Sequence, residues 1–392
     1  MPTPRIEIDL RKICHNTRCL VDRLRPSRIN VVGVTKGVCG HPAVAQAMLD
    51  GGAVGLADAR ISNVERLRNA SVTAPISLIR TPMLSQVEQV VSLCDVSHNT
   101  EIAVIAALSE AASRQGTVHD VILMVEFGDG REGILPANLE VIARRVLALK
   151  GVRLKGIGAN FACLNAAPPD SVAMNRISCL ADAVEQSCGV LLQVVSGGNS
   201  ASLPLILGAG SLGRTNCLRL GEALLLGVEP LTQTRIAGLH TDAFCLIAEV
   251  IEVHACDRSD RVFRPSSSSE PVAEVCLPHA RVILAIGQQD VDAVDLLLPP
   301  GTNLVGATSD HLVLETRDRR MKVGDEMRFQ PNYSAVLRAM SSGDILVELG
   351  PDQPEPASQP NGHPRGVGSK RSLTPKGEGY LSPRSPRPFE LV

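Results

Sequence analysis

Eight short apolar runs, separated by longer segments of helical periodicity, fill residues 29 to 230 and limit the folds open to this chain more than any other feature. They are Ile29–Thr35, Ala53–Ala57, Ile76–Ile79, Leu93–Ser97, Val121–Phe127, Leu154–Ala159, Leu192–Ser196 and Cys217–Leu220. Apolar residues on consecutive positions, rather than in alternation, predict strands buried on both faces, as in a parallel sheet covered by helices. The first helical segment, Leu10–Leu24, sets Leu10, Ile13, Leu20, Val21 and Leu24 on one face behind Asp9 as N-cap. Others fall near His41–Asp50, Ser62–Asn69, Ser85–Val91, Glu101–Gln115, Asn138–Leu149, Pro169–Ser187 and Ala201–Leu207. The pattern predicts an α/β fold, a closed TIM-like (β/α)8 barrel. An open doubly wound sheet is the alternative, and the lack of a GxGxxG turn after the first strand disfavours it.

After Pro230 the texture changes. His240–Val253, Ala280–Ile286, Thr302–Val305 and His311–Glu315 read as strands with no long helical segment between them. The expected organisation is therefore a barrel over 1–230, a smaller, mostly β C-terminal domain over 231–350, and a disordered Pro/Ser-rich tail over 351–392. Arg258–Pro271 reads as a mobile Ser-rich surface loop.

Composition narrows the function. A formal net charge of −2 gives no basic footprint for nucleic acid and no polybasic anchor for a membrane. No apolar run approaches the length of a membrane-spanning helix, and the start, MPTPRIEIDLRK, does not read as a secretory signal. Eleven cysteines, dispersed without a CxxC pair, point to free thiols in a reducing cytoplasm. His254 and Cys256 alone do not make a zinc site, so no metal is expected.

In a β/α barrel the chemistry gathers at the C-terminal ends of the strands. Here those positions hold Lys36, Asp58, Arg60, Arg80, Asn99, Arg131, Asn160, Ser196-Gly197-Gly198-Asn199-Ser200, Arg219 and Gly221. Lys36 by itself reads first as a solvated strand-end lysine, but at a barrel's catalytic end beside a phosphate site partial desolvation would favour the neutral amine that forms a Schiff base. Loops after strands seven and eight of such barrels often cradle phosphate. The SGGNS and RLGE segments stand there, facing Lys36 across the rim, although a plain turn would also explain the glycines.

Long motifs then carry a resemblance. VTKGVCGHP (34–42), FGDGREGILP (127–136), GIGANFAC (156–163), SGGNSASLP (196–204), RLGEALLLG (219–227), LAIGQQDV (284–291) and GATSDHLVLE (306–315) look like the alanine/ornithine racemase family, nearer its ornithine racemase branch. The resemblance implies a pyridoxal 5′-phosphate-dependent racemase that interconverts L- and D-amino acids, with ornithine or another basic amino acid as its small-molecule substrate, acting as a homodimer. It implies that Lys36 holds the cofactor and moves the α-proton. Ser196, Asn199 and Ser200, with the backbone of Gly221 and Glu222, fall in the phosphate loops. Arg219 falls on the arginine facing the pyridine nitrogen, and Arg131 on the one holding the phenolic oxygen or substrate carboxylate. Asn160 replaces a histidine that packs on the ring, and Tyr333 resembles a tyrosine near the cofactor of the partner subunit.

One departure matters. Gln288 stands where alanine racemase has its second, tyrosine base, and Gln takes no proton at neutral pH. Asp290 and His311, as a carboxylate–imidazole pair, are the expected replacement, with Cys39 and Tyr333 next. The distal ammonium of a basic substrate needs a carboxylate, and Asp129, Glu132, Asp290 and Asp310 all lie in the motifs. Two other readings stay open: a related pyridoxal-phosphate lyase of the D-threonine aldolase or D-serine dehydratase kind, and a non-catalytic cofactor carrier, against which the β domain argues.

Overall fold

The computed structural model describes residues 3–165, 168–208, 210–256 and 279–350. The segment Arg258–Pro271, expected as a loop, and the tail from Pro351 lie outside the described residues. Strand β1 (Arg5–Ile8) comes first, followed by eight parallel strands: β2 (Asn30–Val34), β3 (Gly55–Asp58), β4 (Ile76–Leu78), β5 (Val96–Asn99), β6 (His119–Val125), β7 (Val152–Ala159), β8 (Val194–Ser196) and β9 (Cys217–Leu220). These close into a barrel, β9 pairing with β2. Each of the eight apolar runs contains one of them or overlaps it, so the closed barrel is the observed architecture and not the open sheet.

Helices α1 (Leu10–Leu24), α2 (Pro42–Asp50), α3 (Ile61–Asn69), α4 (Val87–Leu93), α5 (Ile102–Arg114), α6 (Leu139–Leu147), α7 (Ser171–Cys188), α8 (Leu203–Leu207) and α9 (Glu222–Leu226) wrap the barrel. Asp9 caps α1, its side chain accepting the N–H groups of Arg11 and Lys12. Leu10, Ile13, Leu20 and Leu24 are buried along its inner face, where they join the main core. Burying such a stripe is what turns a marginal helix into a stable one.

The second unit is a curled sheet built from β10 (Phe244–Cys256), β11 (His279–Leu284), β12 (Leu296–Leu297), β13 (Thr302–Ala307), β14 (Leu312–Thr316), β15 (Glu326–Pro331) and β16 (Leu346–Leu349), with α10 (Tyr333–Ala339) packed beside it. β1 belongs to this sheet, antiparallel to β10 and parallel to β16. Four residues with two charges, Arg-Ile-Glu-Ile, gave little strand signal in the sequence. Ile6 and Ile8 face the core, while Arg5 is also buried and is neutralised by Glu7 (3.1 Å), Glu326 (2.6 Å) and Glu348 (3.1 Å).

Candidate active site

Parallel strands bring all eight C-terminal ends to one rim. Because β9 closes on β2, with Val32 opposite Arg219 and Gly33 opposite Leu220, Lys36 and Gly221 emerge side by side. The glycine loops therefore stand beside Lys36 and not across the barrel from it, a consequence of which strands close the ring. A Cβ on Gly221 would lie 3.2 Å from Val34 Cβ, so glycine keeps this approach open. Lys36 opens a single turn, Lys36–Val38, with its side chain exposed at the rim. The residue before it, Thr35, donates its hydroxyl to Asp58 Oδ2 at 2.7 Å. Asp58 also accepts from the Arg60 N–H and from Asn63 Nδ2, both at 2.9 Å. Burial pushes the Asp58 carboxyl up against these bonds. Asp58 thus braces the Lys36 turn from below.

The loop after β8 forms a cradle. Gly198 sits at φ 100°, a conformation side chains rarely adopt, and a Cβ there would meet Phe161 Cδ2 at 2.8 Å. Asn199 Nδ2 donates to the Phe161 carbonyl at 2.8 Å while its Oδ1 accepts the Ala201 N–H at 2.9 Å. The buried Ser200 hydroxyl accepts the Ala223 N–H at 3.3 Å, tying this loop to the start of α9. Small residues, backbone N–H groups and a hydroxyl converging at strand ends suit a phosphate.

Arg219 sits inside the mouth. Its Nη2 donates to the Ala159 carbonyl (2.9 Å) and Asn160 Oδ1 (2.7 Å), and its Nη1 to Ser196 Oγ. Gly158 keeps β7 close to Ser196, the Arg219 partner, since a Cβ there would lie 3.0 Å from Ser196 Cβ. Burial draws the guanidinium below its ordinary pKa. Among the described residues no carboxylate forms an ion pair with this buried cation. Its neighbours are neutral oxygens, which leaves it suited to a ligand atom with a lone pair.

Arg131 is fixed from one side. Asp129 Oδ2 accepts its Nε at 3.0 Å, and Asp129 Oδ1 accepts the N–H groups of Cys163 (2.8 Å) and Leu164 (3.0 Å). Burial works to raise the Asp129 carboxyl, but the Leu164 N–H, Arg131 and the Cys163 N–H outweigh it and hold it below its ordinary value. The loops after β6, β7 and β8 are thereby laced together, with residues 160–165 as the hub. Sequence reading passed over this role of Asp129, whose one signal is its place in GDGRE.

Tyr333 corrects an expectation. Its ring lies on Gly37 of its own chain: a Cβ at Gly37 would be 2.8 Å from Cε2 and 2.9 Å from the phenolic oxygen. Ser341, just past α10, meets Cys39 Sγ with its hydroxyl at 3.1 Å. The second sheet thus folds α10 over its own barrel mouth, which places Tyr333 beside the Lys36 turn of its own chain. Burial raises its phenol, and the Glu222 and Asp58 carboxylates add to that.

The expected Asp290–His311 pair is not formed. Asp290 Oδ2 accepts the Gly287 N–H (3.2 Å) and Oδ1 the Ser342 hydroxyl (3.0 Å), which makes it a turn brace. His311 is exposed and its Nδ1 is 3.4 Å from Thr308 Oγ1. Packing of the two turns, with the Gln288 N–H donating to the Thr308 carbonyl at 2.8 Å, engages both residues locally. Gln288 itself is exposed.

Comparisons with known proteins agree with this geometry. A family model described as the N-terminal domain of alanine racemase matches residues 8–230. Ornithine racemase of Acetoanaerobium sticklandii is 33% identical over 354 residues, spanning 88% of this chain and 99% of that protein. Lysine racemase of Thermotoga maritima is 30% identical over 357 residues, 87% of this chain and 97% of that protein. Among solved structures, alanine racemase from E. faecalis has the same fold at a TM-score of 0.67 and 20% identity, covering 88% of this chain and 98% of that one. D-threonine aldolase from Filomicrobium marinum shares it too, at 0.69 and 17%, covering 89% and 91%.

Proposed function

The chain belongs to the alanine racemase family, and on that premise we propose that it is a pyridoxal 5′-phosphate-dependent racemase of basic amino acids such as ornithine and lysine. The observation that carries this reading is the buried Arg219, with no carboxylate partner among the described residues, at one rim with Lys36 and the glycine–serine cradle. The residues fit the cofactor. The Gly198 and Gly221 backbones lie where side chains would fill the space, and Ser200 adds a buried hydroxyl. The choice of basic substrates rests on the two relatives aligned over nearly their whole length.

When bound, the cofactor supplies the electron sink that acidifies the substrate's α-hydrogen. Ser200, with the N–H groups of Gly221 and Glu222, would hold its phosphate. Arg219, a permanently protonated donor, would face the pyridine nitrogen and disfavour its protonation, which would weaken the electron sink and favour return of the proton over transamination. Arg131, its plane set by Asp129, orients the phenolic oxygen or the substrate carboxylate. Lys36 takes and returns the proton on the face it reaches. Tyr333 packs over Gly37 and narrows the mouth beside Lys36. The free thiols of the described cysteines suit a cytoplasmic enzyme.

The direct test is a chiral assay of cofactor-loaded protein over the L-amino acids. L-ornithine or L-lysine should be converted to a racemic mixture, and cleavage or deamination products in place of the D-enantiomer would instead favour a lyase. Assembly offers a second expected result. We propose a homodimer, and because Tyr333 lies on Gly37 of its own chain, mixing Lys36→Ala with Tyr333→Phe protein should restore no activity through hybrid dimers. Recovery well above the sum of the two parents would place Tyr333 in the partner's site.

A further inference from the structure

We infer that Glu132 is the carboxylate that receives the distal ammonium of a basic amino acid, an assignment that rests on the substrate class proposed above. A substrate ammonium leaving water for a barrel mouth needs a carboxylate whose oxygens are not already engaged. Three of the four candidate carboxylates, Asp129, Asp290 and Asp310, are engaged. Asp129 accepts from Arg131 and two backbone N–H groups. Asp290 accepts from the Gly287 N–H and Ser342. Asp310 accepts from Gln289 Nε2 at 2.6 Å and from the Ser309 hydroxyl at 2.6 Å, on an exposed turn.

Glu132 differs from all three. Among the described residues no hydrogen bond reaches its oxygens, and its ion-pair partner, Arg131 Nη1, stands off at 3.8 Å, beyond hydrogen-bond reach. Its side chain is only 23% exposed. It lies in the loop after β6, on the rim that also carries Arg131 and the mouth of the barrel. Two neighbouring acids are weaker candidates. Glu126 Oε1 is taken by the N–H groups of Gly128 (2.6 Å) and Gly130 (3.1 Å). Glu222 accepts from Gln233 at 2.8 Å, and burial pushes its carboxyl toward the neutral form.

The segment carrying Glu132 is held before any ligand arrives. Glu126 N–H donates to the Ile134 carbonyl at 2.9 Å and Ile134 N–H to the Met124 carbonyl at 2.8 Å. A Cβ on Gly133 would lie 2.7 Å from Glu126 Cα, so the return is tightly packed. With its backbone held in this way, Glu132 has only side-chain freedom to lose on binding. Arg131 and Glu132 then present a cation and an anion from adjacent residues, one for each end of a basic amino acid. An uncharged side chain would leave Glu132 half-buried without a hydrogen-bond partner, which disfavours alanine-sized substrates.

The test compares L-ornithine with L-norvaline, the same carbon skeleton without the ammonium. Glu132→Gln should lower the ornithine-to-norvaline ratio of kcat/KM by about ten- to a hundredfold, the scale of a hydrogen bond to a charged group. Glu132→Asp should keep part of the preference and serves if the Gln variant folds poorly. Independently of turnover, the L-ornithine concentration that half-saturates the absorbance change of the cofactor-loaded protein should rise by a similar factor. An unchanged ratio, or an unchanged half-saturation, overturns the assignment and leaves the racemase reading standing. A wild-type protein that acts on neither ornithine nor lysine overturns both.

Discussion

Lys36→Ala protein should lose racemisation by about ten-thousandfold or more, since one change removes both the anchoring amine and a proton-transfer group worth about a hundred- to ten-thousandfold alone. Borohydride treatment of the wild-type protein should fix the cofactor on a peptide containing Lys36, and the variant should carry no such label. Geometry makes the choice of lysine a sharp one. Lys36 is exposed where β2 ends at the rim. Lys155 is buried within the barrel, its ammonium 2.8 Å from Asp120 Oδ2, and an ion-paired ammonium is not a nucleophile. Mass spectrometry of the reduced protein decides it: label on Lys155, or full activity in Lys36→Ala, would overturn the site.

Gly156→Ala should destabilise the barrel by about 3 kcal/mol, at the upper end of ordinary overpacking. Gly156 pairs with Val194 where β7 meets β8, and a Cβ there would lie 2.0 Å from the Val194 carbonyl oxygen. A backbone oxygen cannot rotate away as a side chain can, so the two strands must part. Their ladder is short, ending at Gly158 opposite Ser196, which leaves little pairing to absorb the shift. Calorimetry should show a melting temperature lower by roughly 5–10 °C. Activity should fall as well, because Ser196 holds Arg219. Gly343→Ala, where a Cβ would meet nothing within 4 Å, is the control and should melt like the parent. Equal melting of Gly156→Ala and parent would mean that β7 and β8 separate at little cost.

The barrel was legible because burial on both faces writes itself into consecutive apolar residues, and each of the eight runs coincides with or overlaps a barrel strand. The rim followed from it: Lys36, Asn160 and Arg219 stand at strand ends, and Arg131 and Ser200 in the loops that follow β6 and β8. Features that depend on a second, distant segment were not legible. β1 takes its register from β10 and β16, and nothing within Arg-Ile-Glu-Ile announces either. Tyr333 reads as a tyrosine near a cofactor, but which chain it serves depends on the path of α10. Asp290 and His311 are adjacent in motif space, yet each spends its polar atoms on its own turn. Asp129 and Glu132, three residues apart, look alike as acids. What separates them is the pair of N–H groups that the loop after β7 delivers to Asp129 alone.

Among the described strands Arg5–Ile8 leaves the ribosome first, and β16, which pairs with it, leaves last. Through the whole synthesis of the barrel Ile6 and Ile8 have no sheet to enter, and Arg5 has two of its three acids still unmade. A barrel can form on the emerging chain as a unit, with this strand trailing from α1. Only when residues 346–349 appear does the strand gain its second edge. A message cut short between the barrel and that point yields a chain whose first strand lacks one or both of its edge partners beside a folded barrel, a form that proteases and chaperones recognise. The second sheet thereby acts as a check on chain length, with the first strand made waiting for the last.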